Sequence, residues 1–242
     1  MKFRWQYFLV FAVLQAQLVL SQKNILFLAA DDLRPNLGSY DDSNKGIFKQ
    51  PKMHTPNLDA LAAKSVVFEK AYDQVALCGP SRTSLLTTRR PDTTKILNIG
   101  YYWREYGGNY TTLPQFFLEN GYTTFGAGKI FHGGPSSNHN DVEFSWSKGP
   151  EVPFGFRDQY PDPYPEKGDV SWRGYNKTTL DKVPLQDTSN ANWLLTRIKQ
   201  AARAWKKTGQ PFFAGRGIWA PSKNWPNLGF CNPPPKAKQQ NT

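Results

Sequence analysis

The sequence predicts an α/β fold, with a parallel or mixed sheet covered by helices on both faces. Three observations carry this. A short, continuous apolar run lies at Asn24–Ala30, as expected of a strand buried on both faces, and further strand segments lie at Tyr122–Ala127 and Pro211–Gly215. Segments of helical periodicity stand between them. Helix start and stop residues (Thr55-Pro56, Gly121, Gly209) separate the two kinds of segment. Strands alternating with helices give a layered architecture with crossover connections.

The elements follow in order. Asn24–Ala30 is the first strand, ending at Asp31-Asp32. Thr55 and Pro56 open a helix as cap and first-turn residue, with Leu58, Leu61, Ala62 and Val66 as its expected buried face. Thr112 or Leu113 opens another, with Phe116 and Phe117 inward and Gly121 as its stop. Tyr122–Ala127 is the next strand, closing at Gly128-Lys129. A longer helix is expected from about Asn190 to Lys207, with Leu194, Leu195, Ile198, Ala201, Ala202 and Trp205 apolar and Gly209 ending it. Between Gly133 and Pro184 the periodicity is lost, and long decorated loops with a short hairpin are expected over one end of the sheet. Residues 222–242 are polar, proline-rich and aperiodic, and are expected to be disordered. The domain reading is therefore a leader at 1–21, one domain at 22–221 and a divergent tail at 222–242.

The leader reading rests on Lys2 and Arg4, the apolar stretch Tyr7–Leu14, its continuation at Leu18–Leu20, and small residues at Val19 and Ser21. This fits a secretory signal and is too short and interrupted to span a bilayer. Two glycosylation sequons, at Asn109 and Asn176, agree with a secretory route. Loss of Lys2 and Arg4 with the leader lowers the formal charge from +11 to +9. That excess suits a polyanionic partner such as a sulfated glycosaminoglycan. No nucleic-acid motif accompanies it, so nucleic acid is not expected as a partner; neither is a transmembrane anchor. Only two cysteines occur, Cys78 and Cys231, and in a secreted chain they could pair.

The chemistry-bearing segment is Cys78-Gly79-Pro80-Ser81-Arg82, followed by Thr83-Ser84-Leu85-Leu86-Thr87-Thr88-Arg89. Pro80 suits a first helical turn, and Ser81–Thr87 can form about two turns. Cys78 then stands just ahead of the helix's positive end, where backbone amides favour anions. Arg82 adds a guanidinium fork one turn in. A nucleophile beside an anion cradle suits attack on a sulfate or phosphate ester; a buried cysteine at an ordinary helix start is the alternative. Asp31-Asp32 and Lys129-Ile130-Phe131-His132 each follow a strand, where ligands bind in open α/β sheets. Paired carboxylates attract a hard divalent cation, though the same pair also caps turns.

Cys78, Pro80 and Arg82 and the run that follows resemble the signature of the type I sulfatases. Asn24–Leu33, Arg89–Thr94, Tyr102-Trp103-Arg104 and Gly128–His132 are similar to the members acting on sulfated uronic acids, down to the Lys-x-x-His spacing. The resemblance runs from about Asn24 to about Pro221. It implies the alkaline-phosphatase-like α/β fold, truncated here, with one calcium ion and hydrolysis of a sulfate ester on a sulfated sugar or glycosaminoglycan. It also implies that Cys78 is oxidised to formylglycine by a formylglycine-generating enzyme and, once hydrated, attacks sulfur. By the same resemblance Asp31, Asp32 and modified Cys78 hold the metal, and Cys78, Arg82, Lys129 and His132 are catalytic. A lysosomal or extracellular destination follows.

Three departures stand against the family pattern. Thr88 replaces the usual glycine at the end of the motif helix, where left-handed backbone geometry is expected. Trp219-Ala220-Pro221-Ser222 stands where a His-Lys-Pro-His-like segment is usual. The family's remaining metal ligands and a second substrate lysine have no counterpart here, and neither His54 nor His139 replaces them. A non-catalytic secreted binder of sulfated glycans is therefore the second expectation. A phosphohydrolase of the same superfold is a third.

Overall fold

The apolar runs form a parallel sheet in the computed structural model, which describes residues 22–40, 53–148, 156–157, 177–182 and 184–219. The leader, the tail, Cys231 and Asn176 lie outside the described residues. By its internal packing the chain divides into two units. The larger holds residues 1–31, 73–163 and 184–219, and the smaller holds 32–72, 164–183 and 220–242.

The larger unit is built on four strands: β1 (Ile25–Ala30), β2 (Thr123–Gly128), β3 (Phe156–Arg157) and β4 (Phe212–Ile218). Their order is β1-β4-β2-β3, and all the pairings are parallel. The last run in sequence thus lies between the first two, pairing Phe27 with Gly215 on one side and Gly126 with Gly215 on the other. Parallel neighbours require crossovers, and the helices supply them. In chain order, α1 is Pro56–Ala62, α2 Cys78–Thr87, α3 Pro91–Thr94, α4 Trp103–Tyr106, α5 Leu113–Glu119, α6 Asn138–Ser145, α7 Lys177–Lys182 and α8 Gln186–Thr208.

Alternation along β4 sends side chains to two cores, one on each face of the sheet. Phe213 joins Leu86, Ile96, Trp103, Ile130, Phe131 and Trp146 on one side. Phe212 and Ala214 join Phe125, Leu194 and Ala201 under α8 on the other. The first strand departs from expectation. Ile25, Phe27 and Ala29 pack on the first core, but Leu26 and Leu28 are each 54% exposed, because α8 packs on β2 and β4. β1 is thus an edge strand among the described residues, covered on one face.

Helix signals were legible with differences of detail. Thr112 caps α5 through a reciprocal box with Gln115, and Gly121 follows at φ 82°. Phe117 packs inward while Phe116 is exposed. The long helix starts four residues early, at Gln186, and ends on Gly209 in the left-handed region. Within it, Leu194 and Ala201 are buried but Leu195 is exposed. The described part of the stretch after Gly133 contains a 3-10 turn at Gly134–Ser137, then α6, β3 and α7, where loops were expected; the rest of it, 149–155, 158–176 and 183, lies outside the described residues, so the expected hairpin has no counterpart among them.

The smaller unit contains a 3-10 turn at Gly38–Tyr40, α1 and α7. Thr55 stands at the N-cap of α1 with Pro56 in the first turn, as predicted, but its side chain makes no cap hydrogen bond. Its hydroxyl accepts from the Gly38 amide and donates to Asp59, which ties the turn to the helix. None of the α1 residues is buried, and Leu61 and Val66 are exposed, contrary to the predicted face.

Candidate functional site

The carboxyl ends of β1 and β2 and the start of α2 bring their polar side chains together. Asp31 is fixed by its own backbone: its amide donates to Ile218 O at 2.9 Å, extending the β1–β4 ladder by one residue. At the end of β2, Gly128 adopts φ 75°, and the Ile130 amide returns to the Gly128 carbonyl at 2.9 Å. This turn needs the freedom of glycine and presents Lys129. Gly217 of β4 makes the close passage possible, since a Cβ there would stand 1.9 Å from the Lys129 carbonyl carbon.

Cys78 lies in the first turn of α2, rather than ahead of the helix as expected. Leu77 caps the helix without a side-chain hydrogen bond, so the first-turn amides keep their donor capacity toward this corner. The motif helix also ends as its sequence implied: Thr88 sits at φ 56°, ψ 26°. A β-branched residue in this region is strained by about 1–2 kcal/mol.

Asp31 is the centre of charge. Arg82 Nη2 donates to one carboxylate oxygen at 2.8 Å, and Lys129 Nζ donates to the other. All three side chains are nearly buried. Arg82 also donates through Nη1 to the Lys129 carbonyl and, at 2.9 Å, to the Ile130 carbonyl, so one guanidinium fixes both the carboxylate and the turn that carries Lys129. The Cys78 thiol is free, 3.3 Å from Lys129 Nζ and 3.7 Å from Asp31 Oδ1. Burial works to raise the Asp31 pKa, but hydrogen bonds and charge from Lys129 and Arg82 outweigh it and hold the carboxyl below its ordinary value. His132 is half-buried. Burial, reinforced by the positive charge of Lys129 and Arg82, lowers its pKa, with Asp31 opposing. Its Nδ1 has no hydrogen-bond partner among the described residues.

Asp31, Cys78, Arg82 and Lys129 therefore form one cluster, with His132 within reach of their field. Asp32 is the next residue after Asp31, exposed and at φ 48°. Ligand atoms of Asp31 and Cys78 are close enough for one ion to bridge. The donor set nevertheless does not fit a tightly held calcium. Both Asp31 oxygens are engaged by cations, and two aspartates fall well short of the six to eight oxygens calcium takes. His54 and His139 are exposed and take no part in the cluster. Asn109 is exposed, and its side-chain oxygen accepts from Arg104.

Several site neighbours were not foreseen. Trp219 was noted only as a departure, yet Lys129 Nζ stands 4.8 Å from its ring centroid, a cation–π contact. Asp187 holds this wall: it accepts from Arg216 Nη2 at 2.6 Å and from the Trp219 amide at 3.2 Å. Arg104 and Asp141 form a buried pair near the His132 segment. The Tyr102-Trp103-Arg104 run was visible as a similarity, whereas nothing in the sequence marked Asp141, whose spacing from Arg104 follows no local period.

The arrangement is a cationic corner, with a free thiol in the first turn of a helix, at the carboxyl end of a parallel sheet. The family model described as Sulfatase matches residues 23–214, and the chain belongs to the sulfatase family. It is 50% identical over 131 residues to the iduronate 2-sulfatase of Mus musculus and 46% identical over 140 residues to that of Homo sapiens. These matches cover 54% and 57% of this chain but only 22% and 24% of the relatives, so the chain spans less than a quarter of either. A sulfatase of Formosa agariphila is 32% identical over 86% of this chain and 40% of its own. Among solved structures, the phosphonate monoester hydrolase of Agrobacterium radiobacter aligns with a TM-score of 0.50 and 18% identity, covering 83% of this chain and 41% of its own. A Bacteroides thetaiotaomicron structure described under the metabolism of multiple glycosaminoglycans gives 0.51 and 19%, with 83% and 45% covered. Both support the α/β fold. No helix among the described residues is long and apolar enough to cross a membrane.

Proposed function

We propose that this chain carries the nucleophile half of a sulfuric ester hydrolase acting on sulfated uronic acid residues or glycosaminoglycans. The observation that carries the reading is the Cys78 thiol in the first turn of α2, 3.3 Å from the buried ammonium of Lys129. A group at that position can attack an ester sulfur while Lys129 receives the sulfate oxygens. Conversion of Cys78 to formylglycine by a formylglycine-generating enzyme supplies an aldehyde hydrate as the attacking group. Arg82 holds that hydrate and keeps Asp31 oriented. His132, its pKa lowered by burial and by the charges of Lys129 and Arg82, exchanges a proton with it. Asp31 and Asp32 would hold calcium only if Arg82 and Lys129 released Asp31 and further oxygen ligands completed the set; no step here depends on that ion.

Similarity to the iduronate 2-sulfatases supports the substrate class. The basic charge agrees with an anionic substrate. We further propose passage through the secretory pathway to a lysosomal or extracellular site, with a glycan on the exposed Asn109 and on Asn176. The test is sulfate release from a 2-sulfated iduronate disaccharide by chain produced in secretory cells that carry the modifying enzyme. Release abolished by Cys78→Ala supports the proposal. No release, with Cys78 already converted, contradicts turnover by this chain.

One set of observations favours a second reading, a non-catalytic binder of sulfated glycans. Asp31 is neutralised by Arg82 and Lys129, and Trp219 covers Lys129 where the family resemblance implies histidine. That reading expects salt-sensitive retention on heparin without sulfate release.

A further inference from the structure

Outside the cluster, a densely satisfied polar assembly among the described residues of the larger unit surrounds Asp141. Its carboxylate is fully buried and accepts from Tyr102 Oη at 2.5 Å, from Arg104 Nε and Nη2 at 2.8 Å each, and from Ser145 Oγ. Arg104 gives two further donors to Asn109 Oδ1 at 2.5 Å and Gln115 Oε1 at 2.6 Å. One guanidinium thus joins the segment before α5, the α5 cap and the start of α6. Burial works to lower the Arg104 pKa, but Asp141 raises it beyond its ordinary value; burial and Asp141 together push Tyr102 up.

The backbone this assembly holds is strained. Asn138, His139, Asn140 and Asp141 have φ of 42°, 58°, 67° and 53°, four consecutive residues in the left-handed region. Asn, Asp and His enter this region more readily than other non-glycine residues, but as single residues; four in succession persist only where their surroundings fix them. Here they are fixed from both sides. Asp141 is pinned as described, the Asn140 amide donates to Ser137 Oγ at 2.9 Å, and Trp146 Nε1 donates to the Asn140 carbonyl at 3.0 Å.

What the strained turn delivers lies at its other end. Ser137 Oγ donates to the His132 carbonyl at 2.6 Å, and Ser136 Oγ donates to the same oxygen at 3.3 Å. A second path reaches the neighbouring residue: Trp103, beside Arg104, stacks on Phe131 at 5.8 Å and 7°, and Trp146 meets Phe131 edge-on at 6.2 Å. Phe131 and the His132 carbonyl are therefore both held by groups that the Arg104–Asp141 pair organises. His132 makes no side-chain hydrogen bond of its own through Nδ1 among the described residues, so its ring direction depends on this backbone support.

We propose that Arg104 and Asp141 are positioning residues for His132: the bidentate pair locks the left-handed turn that sets where the imidazole stands relative to Lys129, Arg82 and Asp31. The proposal rests on His132 belonging to the site. Its test needs no turnover, so its failure is distinguishable from failure of the hydrolase reading.

The chain has three histidines, and His54 and His139 are both exposed. NMR of histidine-labelled chain can follow each ring through a pH titration. In Arg104→Gln and Asp141→Asn, with thermal melts confirming a folded protein, the His132 signals should move toward those of the exposed rings. Its titration midpoint should rise by about half a pH unit or more as it leaves the field of Lys129 and Arg82. Arg104→Lys, which keeps charge but not the fork, should give an intermediate shift. Should either first variant fail to fold, Tyr102→Phe and Ser137→Ala each remove one hydroxyl and are judged by the same signal. Native-like His132 signals in folded Arg104→Gln, or in both milder variants, overturn the proposal.

Discussion

Asp31→Asn isolates the electrostatic logic of the cluster. In the native protein one carboxylate faces two cations, and the Asp31, Arg82 and Lys129 side chains are only 5–7% exposed. The amide keeps the shape and can still accept one hydrogen bond, but it cancels neither charge. It leaves two buried cations facing each other across a neutral group. Removing one partner from a buried pair typically costs about 3–5 kcal/mol. The two hydrogen bonds here are both charge-assisted, which places the loss toward the upper part of that range. The assay is urea unfolding, read as a fall in midpoint at unchanged slope. A second substitution sharpens it: Lys129→Met on top of Asp31→Asn removes one uncompensated cation. It should recover at least about 1 kcal/mol of the loss, a coupling expected only of groups in contact. A single-mutant loss below about 1 kcal/mol, or no recovery in the double mutant, refutes the claim that the Asp31 carboxylate neutralises Arg82 and Lys129.

Other expectations follow from the same geometry. Thr88→Gly relieves left-handed strain at the end of α2; after the entropy cost of glycine it should stabilise by up to about 1 kcal/mol, checked by thermal melts. Gly217→Ala places a methyl against the Lys129 backbone, where no side chain can yield; a loss above about 3 kcal/mol or failure to fold is expected in expression and denaturation trials. His132 has a lowered pKa in the folded state. The unfolded chain therefore takes up that proton first as pH falls, and the contribution is complete above about pH 7 and lost as pH drops through the folded value. Urea midpoints of native chain and His132→Gln compared between pH 7 and pH 5 should show that part of the dependence vanish in the variant. Calcium titration calorimetry of this chain should show weak binding, above about 1 mM, because two aspartates are a poor donor set.

Strand and helix positions in the larger unit were legible because the apolar runs and stop residues there answer to local physics. Gly128 and Gly209 mark their turns by backbone freedom alone, and Thr112 with Gln115 spells out a cap. The Cys78–Arg82 segment was legible for the same reason, since Pro80 and the first-turn amides belong to one helix. What escaped was decided at a distance. The α1 face read as apolar, yet Leu61 is exposed, because helical periodicity does not say whether a partner surface exists. β1 read as buried on both faces, but sheet order placed it at an edge. Asp141 was invisible because its partners Tyr102 and Arg104 lie 39 and 37 residues away.

The proposed hydrolase stands or falls on Cys78 being its reacting position. The most direct test is mass spectrometry of the peptide containing Cys78, from chain secreted by cells with an active formylglycine-generating enzyme. Recovery of the aldehyde, lost in Pro80→Ala or Arg82→Ala chain that still folds, is the predicted result. Recovery of Cys78 solely as a thiol or in a disulfide would contradict it.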